Sequence, residues 1–202
     1  HEAKAKAASA QGQTVQGQTV QGAPVISGAT VFVPRAEAIA ASPRVRIETP
    51  SLSGSLNLRG ARIDDLFLRD YRQVLDKPDP VELFRPDGVQ FAYFAQTGWA
   101  GQNLPGLPGP DTVWTVKSGD VLAPGRPVTL TYAAPNGLMF TRMISVDDKF
   151  MFTVTDTVAN LGAAPVTVAP YASVQRQDVP APATSVHEGA VGVFDGILKI
   201  KK

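Results

Sequence analysis

At 202 residues with 44% apolar side chains, the chain is long enough for one domain with a real core. A formal charge of +1 gives no strong pull toward nucleic acid or an anionic surface, and the lack of cysteine excludes a disulfide framework and a thiolate zinc site. No stretch supplies the roughly 20 apolar residues that a spanning helix needs, and the first residues lack the apolar core of a signal peptide.

In chain order, residues 1–42 read as a disordered tether. Gln11-Gly12-Gln13-Thr14 is nearly repeated by Gln16-Gly17-Gln18-Thr19, a low-complexity tract with too little apolar surface to offset its ordering entropy. Val31-Phe32-Val33 is its one apolar knot, read as linker, with docking as a short edge strand as the alternative. Folded structure is expected from Pro43. Val45, Ile47 and Thr49 alternate with Arg44, Arg46 and Glu48, the period of a half-buried strand. Leu52, Leu56 and Leu58 carry a second strand to a turn at Arg59-Gly60, and Ile63 to Leu68 a third. Val81, Leu83 and Phe84 form a short strand closed by Pro86-Asp87-Gly88. Phe91, Tyr93 and Ala95 alternate again.

A loop from Gly98 to Pro110 follows. It has no Gly-Lys-Ser/Thr, so it is not a phosphate-binding loop. Its length makes it either functional or packed down by Trp99, Leu104 and Leu107. Trp114 to Tyr132 holds two more strands. The most regular stretch is Asn136 to Arg176: Leu138 to Val146, a polar corner at Asp147-Asp148-Lys149, then Phe152 to Val158, and a third run opened by Val166-Thr167-Val168. Short polar turns between β-branched and aromatic runs predict an antiparallel meander with one buried face. Its outer face is expected to present Thr141, Arg142, Asp147, Asp148, Lys149, Thr153 and Thr155. Asp156 falls on the apolar parity, so the strand bends there or Asp156 lies past the covered part of the face. Val191 to Ile200 reads as a hairpin turning at Asp195-Gly196.

Candidate chemistry is sparse. His187 is the only histidine besides His1, and His187-Glu188 lacks a serine motif or second histidine to make a catalytic set. Asp64-Asp65 and Asp147-Asp148 lack the spaced ligands of a calcium loop. Trp99 and Trp114 are expected to be structural rather than a sugar platform. No catalytic residue, cofactor site or metal site is expected.

Several segments together resemble the periplasmic domain of the YidC membrane protein insertase family: Ala41 to Pro50, Leu58 to Leu66, Gly109 to Trp114, Ile144 to Val154, and His187 to Val193. The resemblance implies a twisted antiparallel β-sandwich of the supersandwich type over residues 43–202, with further strands of that domain beyond Lys202. It also implies an inner-membrane protein whose domain lies on the periplasmic side. It makes residues 1–42 the tether after a membrane helix. The implied function is non-catalytic interaction, assisting insertion and folding of inner-membrane proteins with the Sec translocon. Its partners would be the periplasmic regions of SecD and SecF and substrate membrane proteins. The resemblance places the contact on the meander, Leu138 to Arg176, and the expected outer face makes Arg142, Asp147, Asp148 and Lys149 the candidate contact residues. A carbohydrate-binding β-sandwich is the alternative, and a sugar-epimerase-like enzyme a third reading that one interior histidine supports poorly.

Overall fold

A computed structural model describes residues 31–74, 76–178, 191–194 and 196–200. The Gln/Gly tract and the His187-Glu188 pair lie outside the described residues. Among the described residues one short helix, α1 (Arg35–Ala40), precedes thirteen strands. They are β1 (Arg44–Glu48), β2 (Leu52–Asn57), β3 (Arg62–Arg72), β4 (Pro80–Phe84), β5 (Tyr93–Ala100), β6 (Thr115–Ser118) and β7 (Val121–Leu122), then β8 (Val128–Ala133), β9 (Leu138–Val146), β10 (Phe152–Asn160), β11 (Ala169–Arg176), β12 (Val191–Phe194) and β13 (Ile197–Ile200). The chain is all-β, as its alternating patterns predict. Among the described residues no helix is long and apolar enough to cross a membrane.

A seven-stranded sheet runs β11-β5-β3-β2-β1-β7, with β4 also paired to β3. A four-stranded sheet runs β10-β9-β8-β6. The two pack face to face as a sandwich. Val45, Ile47, Leu52, Leu56 and Leu66 of the larger sheet meet Val128, Leu130, Leu138, Phe140 and Ile144 of the smaller one in a single apolar cluster. Each of these side chains is withdrawn from water, and full burial of a Leu or Ile is worth about 1.5–3 kcal/mol. The ladders are antiparallel except β1 with β7, which is parallel. The hairpin of β12 and β13 forms as expected.

Three expectations need correction. The third run of the meander does not continue the sheet. Val166-Thr167-Val168 is irregular, and the strand that follows, β11, crosses to pair with β5 in the other sheet from Ala169↔Ala100 to Arg176↔Tyr93. The meander is instead β8-β9-β10. Between Trp114 and Tyr132 there are three strands, not two, because β7 leaves to join β1.

The folded part also starts earlier than expected. A helix stands ahead of Pro43, because α1 is held on the larger sheet by charge. Arg35 pairs with Asp65 and with Glu82 (Nε to Oε1, 2.9 Å), and its guanidinium carbon sits 4.5 Å from the centre of the Phe67 ring. Asp65 accepts from Ser55, which accepts from Arg44, and Arg44 pairs with Asp64. Asn57 then donates to Asp64 and accepts from Ser42. The Val33 amide donates to the Gly88 carbonyl at 3.0 Å, which places the apolar knot against the domain. Charged groups this withdrawn from water are tolerable because each has an opposite partner.

The loop after β5 is packed down rather than free. The Trp99 amide donates to the Pro108 carbonyl, Tyr132 Oη to the Gly106 carbonyl, and Asn136 Nδ2 to the Pro105 carbonyl. Leu107 joins the core margin.

Gly54 shows how tightly β2 and β3 are built. A β-carbon there would overlap the Asp65 carbonyl oxygen, which is backbone and cannot swing aside. Gly54→Ala is expected to lower stability by about 2–4 kcal/mol, in the range of overpacking plus strand distortion. Urea denaturation of the variant measures this.

Candidate functional site

The hairpin of β9 and β10 carries every residue singled out as a partner contact, so its two faces decide what it can do. Along β9, Leu138, Phe140, Arg142, Ile144 and Val146 are buried, while Met139, Thr141, Met143 and Ser145 face outward. Arg142 therefore points into the sandwich. It is 1% exposed and belongs to no outer face. The expectation that it lies on the outer face is wrong for a simple reason: adjacent strand residues point to opposite faces, so Thr141 and Arg142 cannot share one.

Asp156 explains the inward arginine. The register of the hairpin sets Asp156 directly opposite Arg142. Arg142 Nε donates to Asp156 Oδ1 at 2.7 Å and Nη2 to Oδ2 at 2.6 Å, a bidentate pair. Trp99, on β5 of the other sheet, donates its Nε1–H to Asp156 Oδ2 at 3.1 Å. Arg142 also lies over the Trp114 ring, 5.0 Å from its centre. So Asp156 neither bends the strand nor escapes the covered face. It is only 17% exposed and links both sheets.

The three residues of the corner are exposed, but they do different work. The Asp147 carboxylate accepts from the Lys149 and Met151 amides, both at 2.9 Å, and so shapes its own turn. The Asp148 carbonyl accepts from Ser51 Oγ at 3.0 Å, which ties the corner to the β1–β2 turn. The Asp148 and Lys149 side chains have no ion-pair partner among the described residues. They form a small charged point on a held turn.

Beside that point lies a face the charge reading missed. Ladder register aligns Thr115, Thr131, Thr141 and Thr157 in one row across all four strands of the smaller sheet. The next row is Ser118, Thr129, Met143 and Thr155; Ala133, Met139 and Ala159 flank on one side and Ser145 and Thr153 on the other. None of these thirteen positions carries a charge, but exposed Lys117 lies on β6 between Thr115 and Ser118. The signal was available in the alternation of Thr with apolar residues along β8, β9 and β10.

Other cavities offer little chemistry. A cleft of about 440 Å³ opens between β10 and β11, lined by Trp99, Asp156 and Tyr171. The Trp99 indole N–H is already used by Asp156, and Trp114 is buried in the core at 3% exposure. The two tryptophans thus form no common exposed platform, which counts against the sugar-binding alternative. Among the described residues no group of three or more acidic or histidine side chains is placed to hold a metal.

The pair generates a testable asymmetry. Asp156→Val leaves a buried arginine unpaired and is expected to cost about 3–5 kcal/mol, whereas the double change Arg142→Met with Asp156→Val is expected to recover most of that loss. Urea unfolding of wild type, both single variants and the double variant closes the cycle.

Comparison with known proteins gives a consistent picture. The family described as YidC periplasmic domain matches residues 44–202. The membrane protein insertase YidC of Caulobacter vibrioides (strain NA1000 / CB15N) is 57% identical over 164 residues, 79% of this chain and 27% of that protein. That of Caulobacter sp. (strain K31) is 55% identical over 172 residues, 81% of this chain and 27% of its own length. That of Brucella suis biovar 1 (strain 1330) is 47% identical over 174 residues, 83% of this chain and 28% of its length. The chain thus matches little more than a quarter of each of these relatives.

Proposed function

The chain belongs to the YidC periplasmic domain family, and from that premise we propose that it is a non-catalytic interaction module of a membrane protein insertase, one that assists insertion and folding of inner-membrane proteins with the Sec translocon. Family membership puts it on the periplasmic side of the inner membrane. The partners in this reading are the periplasmic regions of SecD and SecF. The observation that supports it is the corner between β9 and β10, where exposed Asp148 and Lys149 stand on a turn fixed by Asp147 and Ser51. A held turn loses little entropy when a partner docks, so even weak charge pairs contribute. Corner residues Asp147, Asp148 and Lys149 sum to one negative charge, which favours a basic patch on the partner.

The contact is a rim contact. Each exposed charge is worth about 1 kcal/mol or less and is screened by salt. Titration of the SecF periplasmic region against the wild type, Asp148→Lys and Lys149→Glu at low salt tests this. Each variant is expected to change affinity by about two- to fivefold, with the difference shrinking as salt rises. Identical affinities for all three proteins would remove the corner from the contact.

A further inference from the structure

The larger sheet carries a cavity of about 310 Å³, lined by Glu82, Leu83, Arg85, Phe91, Tyr93 and Arg176. We propose that it binds a small organic monocarboxylate, an acid group carried on an aromatic or apolar body. β4 supplies Glu82 and Leu83, β5 supplies Tyr93, and β11 supplies Arg176, which ladder register sets directly opposite Tyr93. Arg85 and Phe91 lie in the connection between β4 and β5, closed by two backbone hydrogen bonds between Arg85 and Tyr93. The charge on these walls selects an anion. Glu82 is already neutralised: Arg35 Nε donates to one of its oxygens and Arg85 Nε to the other, each at 2.9 Å. Arg176 makes no ion pair among the described residues, and Asp178, two residues on, is not paired with it. Its guanidinium carbon lies 5.5 Å from the centre of the Tyr93 ring. The walls thus hold one uncompensated cation beside aromatic rings, which fits one acid group with its apolar body against Phe91, Tyr93 and Leu83. A cationic ligand would instead meet repulsion from Arg85 and Arg176.

The backbone at Phe91 is an independent sign of a ligand site. Its φ is 60°, a region sparsely open to a bulky side chain. The same connection meets its other left-handed position with Gly88, at φ 80°, where no β-carbon is strained. A ring is therefore kept at position 91 at a cost in backbone free energy, and residues held in that way gather at ligand sites. The surroundings hold the strain in place. Arg85 Nη1 donates to the Gln90 carbonyl and the Ala92 amide to the Val89 carbonyl, both at 3.1 Å. Leu83, Phe91 and Tyr93 are half-buried, so part of each is open to a ligand while the rest is fixed. Walls set before the ligand arrives lower the ordering cost of binding.

The test titrates the full chain with dansylglycine, a fluorescent aromatic monocarboxylate, and with dansylamide, which keeps the ring system and lacks the acid. Fluorescence is expected to show saturable binding of dansylglycine with a Kd below about 1 mM at low salt, weakening as salt rises. Dansylamide is expected to bind at least about fivefold more weakly. Arg176→Gln is expected to bring dansylglycine down to the affinity of dansylamide. Phe91→Asn installs a residue that tolerates positive φ and removes the ring; it is expected to weaken both probes at least about fivefold. Arg126→Gln, which removes an exposed cation that does not line the cavity, is expected to leave binding unchanged. Circular dichroism checks that each variant is folded, and Tyr93→Leu replaces Phe91→Asn if that variant is not. The proposal is overturned if the wild type shows no saturable binding of dansylglycine or if dansylamide binds as tightly. It is also overturned if folded Arg176→Gln, or the folded variant lacking a ring, binds dansylglycine as the wild type does; a packing role alone for Phe91 predicts that result. No residue of the β9–β10 corner lines this cavity, so the outcome is independent of the SecF titration.

Discussion

The pairing of Arg142 with Asp156 inside the sandwich is the constraint from which the character of this domain follows. An arginine withdrawn to 1% exposure is costly, with an effective penalty of several kcal/mol for the ion. Here the cost is offset by a bidentate carboxylate opposite it, by the Trp114 ring beneath it, and by the Trp99 N–H that completes the carboxylate. The pair thereby joins β9, β10 and β5, so it spans both sheets rather than bracing one. It also has a consequence for the surface. By taking the one arginine of β9 inward, it leaves the outward positions of that strand, Met139, Thr141, Met143 and Ser145, without charge.

A second set of charges does comparable work on the far side of the larger sheet. Arg35, Asp65, Glu82, Arg85, Arg44 and Asp64 form a run of ion pairs and hydrogen bonds beneath α1. Pairs of this kind contribute less to net stability than apolar packing would, but they penalise any arrangement that leaves one member alone. They fix the position of a six-residue helix that has no side-chain cap and no buried residue of its own. Such a helix is too short to persist by propensity. It persists because Arg35 is tied down.

Much of this was legible in the sequence. Period-two alternation identified most strands of both sheets, and the Asp147–Lys149 turn fixed the hairpin. The inward place of Arg142 was legible too: it shares parity with Leu138, Phe140, Ile144 and Val146, and a hairpin centred on Lys149 sets it opposite Asp156. What overrode the parity was the general expectation that charges stay outside, and Asp156, already seen on the apolar parity, was the unread partner. Other features had no local signal. That β11 pairs with β5 depends on a contact between strands some seventy residues apart, and nothing within Val166 to Arg176 distinguishes continuing one sheet from joining the other. The placing of Arg35–Ala40 likewise depends on distant Asp65 and Glu82, whereas the local sequence reads only as part of a tether.

The most direct test is the accessibility of Arg142 in the native protein. Brief treatment with phenylglyoxal followed by peptide mass spectrometry reports which guanidinium groups meet solvent. Arg46 and Arg126, whose side chains are 64% and 60% exposed, are expected to be modified readily, and Arg142 to stay unmodified until the protein is unfolded. Modification of Arg142 at the rate of Arg126 in the folded protein would contradict the account: the pair would not be buried between the two sheets.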